Sequence, residues 1–404
     1  MKDAVHIAVV FLGIFASSLG CGSDNNNTST GGGGGATTSS ASSGTAGSGG
    51  SGGSDGSGGS GGSGGSVVPA GSRVLAIEAN HDGSLDHAKI VDQAMAVGVK
   101  GIPPTLPWSL LEGAAPVNGT PQYSTEWITA LNIVYAPRGL EVLLSIPTID
   151  TVSLTVPPDL GPDLESGAKK FSDAAVIDRM KGMLDAVYST ADGSLKLPYV
   201  LVGNEVDIYL STKPQSVWDE YQAFIEAARA HIKSKRPDTV VGVNIAFQGI
   251  ADPAQATRLK VLVANMDAVF ASYYFKGNDF GGPGSTDVGA DVATMVVFAE
   301  SKPLILKEFG YATGQSGNSE EGQVDFVNAT FTAWDKHAEK IPYMVYSRMY
   351  DGDIEKCKQE AEHYGFPNDN DFIQFLCTLG LRRFDDTAKP AWGAFVDASA
   401  ARGF

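Results

Sequence analysis

Eight short apolar runs recur along residues 72–404, each followed by an amphipathic segment, and this rhythm constrains the fold more than any other feature. The runs are Val74–Ala79, Val99–Pro103, Leu140–Ile146, Tyr199–Gly203, Thr239–Ile245, Ala268–Tyr274, Leu304–Lys307 and Tyr343–Ser347. Most are continuously apolar rather than alternating, as parallel strands covered on both faces should be. The segments between them carry helix punctuation. Ser84 precedes DHAKIVDQAMAV and Gly98 closes it; Ser124 precedes TEWITALNIVYAPR and Gly139 closes that; Asp252-Pro253 is a cap followed by proline at the first helical position. After the fourth run, Val217, Trp218, Tyr221, Phe224, Ile225, Ala228 and Ile232 fall on one stripe at helical spacing. Eight strand-then-helix units predict an α/β fold, a single-domain (β/α)8 TIM barrel. The rival is an open doubly wound sheet, but no Gly-rich phosphate fingerprint follows any of the strands.

The first 66 residues read differently. Residues 4–19 (AVHIAVVFLGIFASSL) are apolar behind one basic residue, Lys2. At ~16 residues the stretch is short for a membrane span and suits a signal-peptide h-region. It runs into Ser18-Leu19-Gly20-Cys21, which resembles a bacterial lipoprotein signal. That resemblance implies that Cys21 is acylated and becomes the new N-terminus; an ordinary cleaved signal peptide is the alternative. Residues 22–66 are almost all Gly, Ser, Thr and Asn. Such a segment cannot bury enough apolar surface to offset its ordering entropy. It reads as a disordered tether with a reach of about 35 Å. The organisation expected is a signal over 1–21, a tether over 22–66 and one folded domain over 72–404. The domain is then extracytoplasmic, lipid-anchored to a bacterial outer membrane or cell surface, or secreted.

With Cys21 set aside, Cys357 and Cys377 remain. Outside the cytoplasm a disulfide between them is expected rather than two free thiols, because the stretch separating them is partly polar and loop-like. The net charge is −17, from 46 acidic and 29 basic residues, and no Lys/Arg run interrupts it. An acidic surface argues against nucleic acid as a partner. The six histidines are scattered, with no i, i+4 pair and no zinc spacing. Asp351-Gly352-Asp353 and residues 368–371 (NDND) cluster oxygen ligands but do not match a calcium loop, so solvated acidic loop is the favoured reading. No G-x-S-x-G is present to support serine nucleophile chemistry.

Two strand ends are odd. The run Tyr199–Val202 breaks into Gly203-Asn204-Glu205, and Leu304–Leu306 leads to Glu308. In a barrel, the active site lies at the C-terminal ends of the strands, so Glu205 at the fourth and Glu308 at the seventh should face each other across the mouth. Two carboxyls so placed are what glycoside hydrolysis requires, and retaining enzymes hold them about 5–5.5 Å apart. Structural ion pairing is the bland alternative for either residue alone, and less so for both.

Asn204-Glu205 and Glu308, in that order and at those strand ends, resemble glycoside hydrolase clan A, the retaining β-glycosidases on (β/α)8 barrels (family 5 or related). Ser272-Tyr273-Tyr274 at the end of strand six and GLRRFDDTAKPAWGAF (380–395) after strand eight resemble corresponding segments of the clan. The resemblance implies Glu205 as general acid/base, Glu308 as nucleophile, Asn204 as partner of the sugar 2-hydroxyl, and Tyr274 (or Tyr273) as the group orienting Glu308. It also implies a carbohydrate substrate, no cofactor, and double displacement at a β-glycosidic bond of a polysaccharide or oligosaccharide by a protein expected to be a monomer.

Departures from the clan pattern bear on the sugar site. Members usually carry a tryptophan at the end of strand eight, where this chain offers Tyr346, Arg348 and Tyr350. An early-strand histidine and an arginine near the nucleophile are also usual. Here His81 is the candidate for one gap, and Arg73 lies at the wrong end of strand one. Sugar rings stack on aromatic faces, which makes Trp108 the platform candidate, with loop packing its alternative. Phe275 and Phe280 flank a glycine-rich loop (276–286) that could wall a cleft, whereas Trp127, Trp218 and Trp392 sit at helical spacing and read as core. Two rivals stand beside the hydrolase reading. One is a non-catalytic carbohydrate-binding surface lipoprotein on a glycosidase-like barrel. The other is metal-assisted enolisation, which would need carboxylates at more strand ends.

Overall fold

The computed structural model describes residues 69–191, 193–275 and 287–404. Cys21, the tether 22–66 and Phe280 with its loop lie outside the described residues.

Alternation along each strand sorts the side chains into two shells, and the shells explain the architecture. The strands are β1 (Val74–Ile77), β2 (Gly101–Ile102), β3 (Glu141–Ser145), β4 (Lys196–Leu201), β5 (Val240–Gly242, continuing as Asn244–Ala246), β6 (Val269–Tyr274), β7 (Leu304–Gly310) and β8 (Tyr343–Tyr346). Each pairs in parallel with its sequence neighbours, and β8 pairs with β1. The first piece of β5 pairs with β4 and the second with β6, so the sheet closes on itself. The expected barrel is the observed one.

Inside the ring lie Val74, Ala76, Leu143, Leu201, Ala268, Phe270, Ile305, Tyr343 and Val345. Their chain neighbours Leu75, Ile77, Val142, Leu144, Val200, Leu306 and Met344 point outward into a second, larger core beneath the helices. This double burial is why the runs are continuously apolar. Tyr343 fills the lower barrel and donates to the Glu141 carbonyl at 3.1 Å. Gly101 faces it, and any Cβ there would collide with the Tyr343 hydroxyl.

The outer helices are α1 (His87–Met95), α2 (Glu126–Val134), α3 (Ala174–Thr190), α4 (Gln215–Lys235), α5 (Pro253–Leu262), α6 (Val288–Ala299), α7 (Glu320–Lys336) and α8 (Pro390–Arg402). The α4 stripe is buried as its spacing requires, with Val217 only half-covered. Asp252 caps α5, accepting from the amides of Ala254 and Gln255. Two start signals move: Asp86, not Ser84, caps α1, and α2 begins at Glu126 without a side-chain cap. Trp218 is buried, while Trp127 and Trp392 pack half-exposed against the core.

Two insertions rise at the C-terminal end of the barrel. After β3, Ile149–Asp150 and Ser153–Leu154 form a small hairpin. After β8, helices Ile354–His363 and Asn370–Cys377 form a satellite core around Phe372, and a Cys357–Cys377 disulfide joins them. Asp353 and Asp369, from the two acidic clusters, are the N-caps of these helices. Among the described residues, no three His, Cys, Asp or Glu side chains converge as a metal-binding set.

Candidate active site

The inward row of each strand, carried past the apolar core, becomes polar at the mouth. Asn244 follows Gly242 on β5, Ser272 and Tyr274 follow Phe270 on β6, and Ser347 follows Val345 at the end of β8. These residues link strand to strand. Asn244 donates to Asn204 Oδ1 at 2.8 Å and to Ser272 Oγ at 2.6 Å. Ser272 donates to Glu308 Oε2 at 3.1 Å, and Tyr274 donates to the same oxygen at 2.8 Å. The Tyr274 hydroxyl also lies 3.1 Å from Ser347 Oγ. On the other side, Asn204 Nδ2 donates to Asp150 Oδ1 at 2.9 Å. One hydrogen-bonded chain therefore runs around the mouth from the β3 hairpin to β8, and it locks the rotamers of its members.

At the tip of β4, Gly203 adopts φ +135°, with the Tyr221 hydroxyl where a Cβ would stand. Glycine is required there. Glu205 follows in the left-handed region at φ 41°, as do Thr151 at 51° and Arg348 at 66°. Three non-glycine residues held in this uncommon conformation around one mouth are a mark of functional sites, where the surrounding structure sustains the strain.

On β7 the register slips by one residue against both neighbours after Leu306. A bulge of this kind re-aims side chains. Ile305 points in and Phe309 out, yet Lys307 and Glu308 are both buried, 2% and 8% exposed, and they form an ion pair at the mouth. Lys307 is the residue here that strand reading missed, although counting by twos from Ile305 puts it inside.

Electrostatics divide the two glutamates. Burial pushes the Glu205 carboxyl well up, and the charges of Glu308 and Asp207 push it further, against the Thr151 hydrogen bond and Lys307. One oxygen, Oε2, accepts from Thr151 Oγ1 at 3.1 Å; Oε1 has no hydrogen-bond partner among the described residues. Burial also acts on Glu308, but Lys307's charge and hydrogen bond, with those from Tyr274 and Ser272, outweigh it and hold this carboxyl below its usual value. Asp207, whose Oδ1 accepts the Ala246 amide at 2.9 Å, is pushed up to about 7 by burial. The site thus holds one carboxyl as an acid and one as an anion, the division an acid and a nucleophile need.

The structure gathers Glu205, Glu308, Asn204 and Tyr274 as the sequence placed them. Tyr273 points outward and donates to Asp291 at 2.7 Å. Four readings need correction. Trp108 is fully buried at 0% exposure, stacked on Phe224 and donating to Glu112 at 2.9 Å, so it offers no face to a sugar. Tyr346, 2% exposed, belongs to the outward row of β8 and packs on Phe395 of α8. His81 stacks on Phe384 at 4.7 Å and hydrogen-bonds its carbonyl, away from Glu308. Phe275 packs on Tyr311 and Phe326 rather than standing free as a wall. Arg348 does lie near the mouth, bonded to Glu360 at 3.3 Å and to the Leu376 carbonyl at 3.2 Å. Asp150 and Thr151 escaped sequence reading because strand three ends without a carboxylate. Only the hairpin folding back over Asn204 brings them in, by Asn204 N–H to the Ile149 carbonyl at 2.9 Å and Thr151 N–H to the Asn204 carbonyl at 3.0 Å.

No family profile and no curated protein matches the sequence. Solved structures do match in shape. An exo-β-1,4-mannosidase from Opitutaceae bacterium strain TAV5 superposes with a TM-score of 0.59 at 13% identity, covering 82% of this chain and 59% of that one. This chain therefore spans less than two thirds of the mannosidase. A GH5_18 protein from Bifidobacterium longum subsp. infantis gives 0.60 at 14% identity, covering 81% and 78%. A GH5_18 variant from Streptomyces cattleya in complex with Manβ1-4GlcNAc gives 0.60 at 15%, covering 82% and 80%. At these identities the likeness is one of architecture: this chain has the (β/α)8 barrel fold that the mannosidase and the GH5_18 structures share.

Proposed function

We propose that the protein is a retaining glycoside hydrolase that cleaves a β-glycosidic bond by double displacement. The observation that carries this reading is the opposed electrostatics of two carboxyls at the mouth, Glu205 held as the acid and Glu308 as the anion. Glu308 attacks the anomeric carbon while Glu205 protonates the leaving oxygen, giving a glycosyl ester on Glu308. Glu205, now ionised, then takes a proton from the water that hydrolyses the ester. Tyr274, Ser272 and Lys307 hold Glu308 in line, and the Asp150–Asn204–Asn244 chain positions the Asn204 amide for the sugar. The fold shared with a β-mannosidase and with a GH5_18 structure bound to Manβ1-4GlcNAc makes β-mannosides the first substrates to try. The Cys21 signal and the tether make the enzyme an extracytoplasmic one on a lipid anchor.

The test is trapping with activated 2-deoxy-2-fluoro β-glycosides, including the mannoside, read by mass spectrometry. A mass increase of one glycosyl unit on the peptide bearing Glu308 is expected. The Glu308→Gln variant should gain no mass and lose turnover by on the order of 10³-fold or more. A label on another residue, or undiminished turnover in Glu308→Gln, overturns the assignment. Glycan binding without turnover in the wild type would favour the carbohydrate-binding reading.

A further inference from the structure

A third carboxyl stands at the mouth, on Glu78 one residue past β1. Val74 and Ala76 lie on the inward row of that strand, and Leu75 and Ile77 on the outward one, so residue 78 continues the inward row upward. Its backbone is pinned on both sides: the amide donates to the Tyr346 carbonyl at 3.1 Å, and its carbonyl accepts from Met349 at 2.8 Å. The side chain is therefore aimed into the barrel mouth by the sheet itself. It is half-buried, opening to the mouth rather than sealed in the core.

Glu78 stands among charged neighbours that are already engaged. Lys307 is paired with Glu308, and Arg348 is bonded to Glu360 and to the Leu376 carbonyl. Among the described residues nothing hydrogen-bonds or ion-pairs the Glu78 carboxyl, although Asn204, Asp150, Ser272, Tyr274 and Glu308 are all tied together nearby. The Glu78 oxygens are not among the buried unpartnered atoms, as Glu205 Oε1 is, so they stay open to the mouth and take their donors from whatever fills it. Burial pushes this carboxyl up, partly countered by Lys307. Donors that the protein does not supply can come from a ligand, and at this place the ligand presents hydroxyl groups.

We propose that Glu78 is a substrate-binding residue whose carboxyl accepts hydrogen bonds from the hydroxyls of the sugar unit attacked by Glu308. This rests on the glycosidase reading and names a specificity determinant within it. A site built to bond a hydroxyl discriminates strongly against a sugar lacking it, because its own polar group is then left unpaired. Glu78 would thus help choose among sugars differing at one hydroxyl.

The experiment uses the aryl β-glycoside that the wild type cleaves best and its monodeoxy analogues. Against the parent glycoside, Glu78→Gln should lower kcat/KM by about 10- to 100-fold, the range of one hydrogen bond to a carboxylate. Against the one or two analogues lacking the recognised hydroxyl, wild type and variant should differ by less than about threefold, since the partner is already gone. The variant should melt no lower than the wild type, because no structural bond is removed. An equal loss on every analogue, no loss on any, or a lowered melting temperature overturns the proposal. Should the wild type cleave no glycoside, the hydrolase reading fails by itself, and Glu78 is then tested by calorimetric titration with β-linked mannobiose. Binding weakened about tenfold or more in Glu78→Gln supports the role; equal binding, or none to the wild type, ends it.

Discussion

Lys307 and Glu308 are chain neighbours whose side chains both enter the barrel, and the ammonium is a large part of what keeps its neighbour ionised. Burial works against charge on both groups, and Lys307 keeps its proton because Glu308 and Glu78 outweigh desolvation. Replacing Lys307 with Met removes the charge and leaves Glu308 with its bonds from Tyr274 and Ser272. Desolvation and the proximity of Glu205 then raise the Glu308 carboxyl. On the proposed mechanism the acid limb of the kcat/KM profile should move to higher pH, because Glu308 cannot attack while protonated. On that limb the loss should be on the order of tenfold or more, the equivalent of one pH unit. The alkaline limb, which the proposal assigns to loss of the proton on Glu205, should move less. Lys307→Arg should restore much of the profile, since it keeps the charge. A uniform drop at all pH values would mean that Lys307 only supports the fold.

The insertion after β8 carries a core of its own beside the barrel. Its two helices bury Phe372, Phe375 and Ala361 in it, with the disulfide between them closing a separation of 20 residues. From it Glu360 reaches Arg348, and Tyr364 stands beside Thr151, itself the partner of Glu205. The insertion therefore approaches Glu205 through one intermediate residue. A Cys357→Ser, Cys377→Ser double variant should lose about 3 kcal/mol of local stability, the chain-entropy cost of reopening a loop of this size. Hydrogen exchange should rise across residues 354–377 while the barrel strands keep their protection. Protection unchanged in that segment would show that its apolar core holds it without the bridge.

At the scale of the molecule, the closing of the ring brings the first and last elements together at the end opposite the site. Arg73, just before β1, and Arg402, at the end of α8, share Asp335 of α7 at 3.1 Å and 2.7 Å. Arg73 lies over the Trp334 ring at 4.6 Å, and Arg402 over Phe331 at 4.9 Å. The Ala70 amide donates to the Arg402 carbonyl at 2.7 Å. The arginine that stands at the wrong end of β1 for catalysis thus ties the first and last elements of the barrel together. Asp335→Ala would strand two buried guanidinium groups and should cost about 3–5 kcal/mol in denaturant unfolding. Turnover well below the melting temperature should stay near wild type, because the ion cluster is a barrel's length from the mouth. A loss under 1 kcal/mol would mean that the arginines find other partners.

The sequence by itself determined the class of the fold and the order of its parts, because both follow from short-range rules. Short continuous apolar runs read as strands buried on both faces, and eight of them alternating with amphipathic segments, with no phosphate fingerprint after any, favour a closed barrel over an open sheet. Glu205 and Glu308 were legible for the same reason: each interrupts a core strand at its tip, where a charge needs a purpose. What tertiary structure alone decided is which neighbours those residues meet. A tryptophan in a loop has the same local signature whether it faces a sugar or a core, and only Phe224 and Glu112 consign Trp108 to the core. Tyr346 fell on the outer row because parity is set by the pairing of β8 with β1 and β7. The bulge that brings Glu308 in beside Lys307, the hairpin that carries Asp150 and Thr151 to Asn204, and the placement of Glu78 at the mouth all arise from contacts between distant segments. Local propensity has no term for such contacts, since their free energy exists only once the ring has closed.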